Sequence, residues 1–136
     1  MDGAELDRER PGGVVVCAGD ELAGYVIRDV LAATGVDVAL CRSAASALEQ
    51  APTASVVVVR LPLPDGPPAE VVDRIRRQGG WARGVVVIGS STAAVAQMAA
   101  YGAGADAYLA APVSPEVLRA VVNTQLHRVA ARQAST

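Results

Sequence analysis

The chain has 136 residues and no lysine: all twelve of its basic residues are arginine. That absence excludes a Walker-type phosphate loop, a Schiff base and any catalytic ammonium, because each needs a compact primary amine that a guanidinium cannot imitate. Cysteine is scarce as well. Cys17 and Cys41 are too few and too far apart in sequence for a zinc motif, and their positions at the ends of apolar runs read as buried structural thiols. The lone His127 has no Asp, Cys or second His near it, so it reads as a solvated helix residue rather than a base or a ligand. No metal or cofactor site is expected. Although 51% of residues are hydrophobic, no apolar run approaches the roughly 18–20 residues needed to cross a bilayer. The opening MDGAELDRERPGG alternates acids with arginines where a secretory signal would start basic and turn apolar. A cytoplasmic location is the expectation.

The net charge is −2, and the first ten residues account for it, with Asp2, Glu5, Asp7 and Glu9 against Arg8 and Arg10. The remainder is neutral, so nucleic-acid binding through counterion release is disfavoured for this domain on its own. An Ala- and Val-rich neutral surface leaves room for self-association.

Short β-branched runs alternate with longer helical patterns. Strands are predicted over residues 13–17, 36–41, 55–59, 84–89 and 106–110, and helices over 21–34, 43–51, 67–78, 92–103 and 115–132. Most strand runs are apolar throughout rather than alternating, which suits strands covered on both faces by helices. Strict β-α alternation then implies right-handed crossovers and an α/β fold: a doubly wound, five-stranded parallel sheet of flavodoxin-like type with strand order 2-1-3-4-5. Ligands of such sheets bind at the carboxyl ends of the strands, beside the switch point. In the first helix Leu22, Tyr25, Val26, Val30 and Leu31 form a stripe expected to face the sheet. The last helix carries Ser114 as N-cap, Pro115 at its first position and Glu116 in its first turn, then Leu118, Val121, Val122, Leu126 and Val129 at helical spacing. Residues 1–12 read as a loose tail, 13–132 as one domain, and 133–136 as a tail or the start of a linker.

Several passages carry a resemblance. LPLPDG, residues 61–66, looks like a Pro-x-x-Asp-Gly turn after a strand; AYGAGADAYLAAPV, residues 100–113, looks like an Ala-Gly-Ala, aromatic, Lys-Pro passage, with Tyr108 and Pro112 in step; ATGVDV looks like a first helix ending into a second strand. Together they resemble the receiver domain of bacterial response regulators, CheY-like, from about residue 13 to 130. The resemblance implies two acids after the first strand and an aspartate ending the third, which hold a divalent metal and accept phosphate. Carried over by spacing, the acid pair falls on Ala18 and Gly19, and the phosphoacceptor falls on Val58, four residues before Pro62. The strand-four hydroxyl falls on Gly89 and the strand-five lysine on Ala111. None of the five has the required group, and magnesium needs hard oxygen ligands that Ala, Gly and Val do not offer. The expectation is a degenerate pseudo-receiver, not an enzyme, with a phosphorylation site filled by apolar atoms.

Asp20, Asp65 and Ser90, with Ser91 beside it, would sit at the rim of this pocket. Both carboxylates read as solvated surface. Arg60 has two readings: an exposed arginine, or a guanidinium that occupies the metal's place and pairs with Asp20 or Glu21. In receivers the strand-five aromatic follows the strand-four hydroxyl, but Gly89 has nothing to offer Tyr108, whose position is left to packing or a partner. By resemblance the fourth helix, fifth strand and fifth helix form the interface, so Val95, Met98, Tyr101, Tyr108 and Pro112 are candidates for a protein partner or homodimer surface. The alternative is a small-molecule sensor whose ligand enters the emptied pocket around Ala18, Val58, Gly89 and Ala111. Three further features are discounted. GAGADA, residues 102–107, matches a dinucleotide pattern but follows a helix and enters a strand, the reverse of the required context. Trp81 reads as a loop aromatic or a partner contact. RIRR, residues 74–77, reads as the polar side of the third helix.

Overall fold

Runs of valine form the strands, because β-branched side chains pack well on a pleated surface and each buried valine contributes roughly 1.5–3 kcal/mol. The computed structural model describes residues 13–66, 68–79, 83–90 and 92–134. The expected tail at 1–12, Trp81, Ser91 and the last two residues lie outside the described residues. Along the chain come β1 (Gly13–Ala18), α1 (Glu21–Ala32), β2 (Val38–Cys41), α2 (Ala44–Gln50), a 3-10 turn (Ala51–Thr53) and β3 (Ala54–Arg60). Then follow α3 (Pro68–Gly79), β4 (Gly84–Gly89), α4 (Ala94–Ala103), β5 (Ala107–Ala110) and α5 (Pro115–Ala134). The strands make one parallel sheet in the order β2-β1-β3-β4-β5, as the alternation predicts.

Alternate residues of each strand feed two cores. Val15, Cys17, Val57, Val59, Val85 and Val87 pack with Ala44, Ala47, Val71, Val72, Ile75 and Ala100, so α2, α3 and α4 cover one face. Val14, Val16, Val56, Val58, Val86 and Ile88 pack with Ile27, Leu31, Leu118, Val122 and Leu126, so α1 and α5 cover the other. Helix α5 starts as its sequence predicts, with the Ser114 hydroxyl accepting the Val117 N–H at 3.2 Å. Helix α1 does not present the predicted stripe. Its buried residues are Gly24, Ile27 and Leu31, while Leu22, Tyr25 and Val26 are exposed. The apolar residues of this helix span more of its circumference than the sheet covers, and Gly24 provides the close approach to the Leu40 side chain.

The amino-terminal edge of the sheet holds a buried polar knot. Arg76 of α3, 5% exposed in its side chain, pairs with Asp106 at 2.7 Å and donates from Nε to the Gly104 carbonyl at 2.8 Å. The same Asp106 oxygen accepts the Val85 N–H at 2.8 Å. Arg76 therefore departs from the reading of RIRR as a solvated face; Arg74 and Arg77 keep to it, pairing with Glu70 and Asp73 one turn away. The GAGADA run leads out of α4 into this knot.

Candidate functional site

At the carboxyl ends of the strands the register sets which residues meet. Ala18, the last residue of β1, lies opposite Arg60, the last residue of β3, and Arg60 lies opposite Ile88 of β4. Gly89 lies opposite Ala110. Val58 is not at the tip. It sits two residues inside β3, between Val16 and Val86, with no exposed surface. Residue 58 is therefore an interior strand position, and the residue that ends β3 is Arg60.

The remaining positions are closed in different ways. Ala18 is buried. Gly19 lies under the loop after β3, where a Cβ would stand 2.8 Å from the Pro62 carbonyl oxygen and 3.3 Å from the Pro64 ring. A side chain at Gly89 would collide with the Tyr108 hydroxyl and come within 2.9 Å of its ring. Tyr108 is thus turned inward over Gly89, and it packs against the α2–α4 core. Its own N–H donates to the Tyr101 hydroxyl at 3.2 Å, which fastens α4 to β5. Ala111 donates its N–H to the Gly89 carbonyl and leads into Pro112 through a cis peptide bond.

Both rim carboxylates are exposed, as expected, and each also serves a helix end. Asp20 is the N-cap of α1, its Oδ1 accepting the Ala23 N–H at 2.9 Å. Asp65 reaches across to α2 and accepts the N–H groups of Ala44 at 2.7 Å and Ala45 at 3.2 Å, beside the Ser43 cap. Those two bonds hold its carboxyl below its ordinary value of 3.8. Asp65 therefore pins the Pro-rich loop to α2 and is not a member of the pocket. The pairing of Arg60 with Asp20 or Glu21 is not formed: Arg60 donates from one terminal nitrogen to the Leu61 carbonyl at 2.6 Å, and Glu21 accepts from the Tyr25 hydroxyl. Ser90 is exposed just after β4.

The donors do not fit a magnesium ion. The strand tips present Ala18, Gly19, Arg60 and Gly89, Asp20 and Asp65 are committed to helix ends, and the side chain that ends β3 is a cation rather than an oxygen donor. Among the described residues no three His, Cys, Asp or Glu side chains come together to hold a metal. Cys17 and Cys41 are distant in sequence but opposite one another in the β1–β2 register, both buried. The hydrogen bond to Cys41, then burial, pushes the Cys17 thiol well above the ordinary range.

The open space lies to one side. Between α1 and α5 runs a groove of about 390 Å³, with Ile88, Ala111 and Leu118 among its lining, Leu22 and Val26 along one wall, and Arg60 and Asp20 at its end. Ala111 alone of the expected ligand-pocket residues lines it. Ala18, Val58 and Gly89 do not. Of the interface candidates, Val95 and Met98 are 78% and 71% exposed on α4, Tyr101 is half exposed, and Pro112 is exposed beside the groove.

No family model matches the chain, and a search of curated proteins found no match. Solved structures do match it in fold. A CheY-like response regulator receiver domain from Methanospirillum hungatei is 17% identical, with a TM-score of 0.82, over 90% of this chain and 99% of that one. A BeF3-activated DrrB receiver domain is 22% identical, with a TM-score of 0.78, over 87% and 99%. The receiver domain of a Francisella response regulator is 21% identical, with a TM-score of 0.79, over 86% and 98%. The chain has the receiver-domain fold. Among the described residues no helix is long and apolar enough to cross a membrane.

Proposed function

We propose that this chain is a signalling receiver that works by protein contact and without phosphorylation. The observation that carries this reading is Arg60 at the end of β3, opposite Ala18. A cation with no oxygen to phosphorylate stands at the strand tip, and neither a carboxylate pair nor a lysine accompanies it to bind metal or neutralise transferred charge. With no chemistry to trigger it, the aromatic of β5 is set by packing: the absence of a Gly89 side chain admits the Tyr108 ring permanently. The output face then has one conformation, held by the Tyr101 hydroxyl.

The contact surface in this reading is α4 with β5 and the start of α5, where Val95 and Met98 stand almost fully in water and Tyr101 adds half of its ring. Large apolar groups grouped on one exposed helix mark a protein interaction site, and the simplest occupant is a second copy of the chain. Light scattering on a dilution series tests it: a dimer is expected that Met98→Arg converts to monomer with an unchanged circular dichroism spectrum. Incubation with acetyl phosphate and magnesium is expected to give no phosphorylated species by intact mass. A phosphorylated adduct, or a monomer at every concentration with no partner bound by Val95 and Met98, overturns the reading.

A further inference from the structure

We propose that the groove between α1 and α5 binds a small amphiphilic carboxylate, with its apolar body along Leu22, Val26 and Val113 and its headgroup on Arg60. The site goes beyond the contact reading and is independent of it, since it lies against α1 rather than on the α4 surface. Its volume of about 390 Å³ falls within the roughly 300–1,000 Å³ of small-molecule sites, which combine apolar walls with a few placed polar groups. Thirteen residues line it; eleven are apolar, and Arg60 and Asp20 are the two charged ones.

Exposure on α1 supports the same assignment. Leu22 is 73% and Val26 55% exposed, because the helix turns Gly24, Ile27 and Leu31 to the sheet instead. These side chains therefore form one wall of a concavity whose other wall is Val113, Pro115 and Leu118. A ligand lying between them would remove apolar surface from water on both sides.

The charge pattern selects the headgroup. Arg60 is the one cation lining the groove, is partly buried, and forms no ion pair with any described residue. One of its nitrogens is used by the Leu61 carbonyl, which leaves further donors of its planar fork in the geometry that matches a carboxylate. Among the described residues no second cation lines the groove to hold a phosphate dianion. Asp20, which also lines the groove, caps the first turn of α1 by accepting the Ala23 N–H and forms no ion pair with Arg60, and its negative charge weighs more heavily against multiply charged anions than against a monoanion. A monoanion on an apolar body fits best.

The test uses the full chain with decanoate, decanol and decylamine, each below its aggregation limit, followed by calorimetry and by amide NMR shifts. Decanoate is expected to bind one to one and to shift Leu22, Val26, Ile88 and Val113, with decanol at least tenfold weaker and decylamine without effect. Arg60→Met is expected to bring decanoate down to the affinity of decanol, and Val26→Asp, on an exposed turn, to abolish both while leaving the circular dichroism spectrum unchanged. Arg60→Gln serves as the second charge-removing variant if the methionine variant misfolds. Absence of saturable decanoate binding, equal affinity for decanol, insensitivity to loss of the guanidinium, or shifts confined to Val95 and Met98 would overturn the proposal. So would concentration-dependent shifts of the groove amides without ligand, which would assign the groove to a second protein chain.

Discussion

A carboxylate at position 58 would be enclosed by Val16, Val86 and the α1–α5 core, where Val58 itself has no exposed surface. Val58→Asp is therefore expected to cost more than about 3 kcal/mol, as burial of an unpaired charge does. Arg60→Asp, at the partly exposed tip, is expected to cost about 1 kcal/mol, the worth of one hydrogen bond. Urea denaturation of the two variants separates the registers directly; equal losses would contradict the placement of Arg60 at the strand end. The sequence made this tip half legible. The apolar run of β3 is a local signal, but only the sheet register shows that the strand runs on to Arg60, opposite Ala18, before the Pro-rich loop begins. The closure of Gly19 and Gly89 was not readable, because it depends on where a loop carbonyl and a tyrosine ring come to rest.

Individual strands and helices follow closely from their composition, since valine runs and helical spacing are local signals. The face that a helix buries is not local. On α1, periodicity identified an apolar band, but the sheet took one edge of it and left Leu22 and Val26 to the groove. Arg76 was equally hidden, because its partner Asp106 lies thirty residues later and nothing nearby in sequence announces the pairing. Asp106→Ala should leave the buried Arg76 guanidinium without this carboxylate, a loss expected at about 3–5 kcal/mol and measurable as a lowered urea midpoint. The contact between the Pro-rich loop and α2 has a pH signature. The Asp65 pKa is lower folded than unfolded, so its contribution is complete above the ordinary carboxylate range and is lost as pH falls through the folded value. The melting temperatures of wild type and Asp65→Ala are expected to differ at pH 7 and to converge as pH drops below 3.8; a constant gap would show that the two N–H bonds are not the source.

At the scale of the whole molecule the two helical layers divide the exposed apolar surface. One layer presents Val95 and Met98 on α4; the other presents Leu22 and Val26 beside the groove. Blocking either should leave the other intact, so Met98→Arg is expected to keep decanoate affinity within twofold and Val26→Asp to keep the oligomeric state, both readable by calorimetry and light scattering. The loop clasped over Gly19 has a consequence for anyone who would engineer this domain. Any side chain installed at position 19 has no volume to enter until the Pro62 carbonyl is moved. Redesign of this tip therefore starts with the backbone of the Pro-rich loop, and substitutions at the strand ends come second.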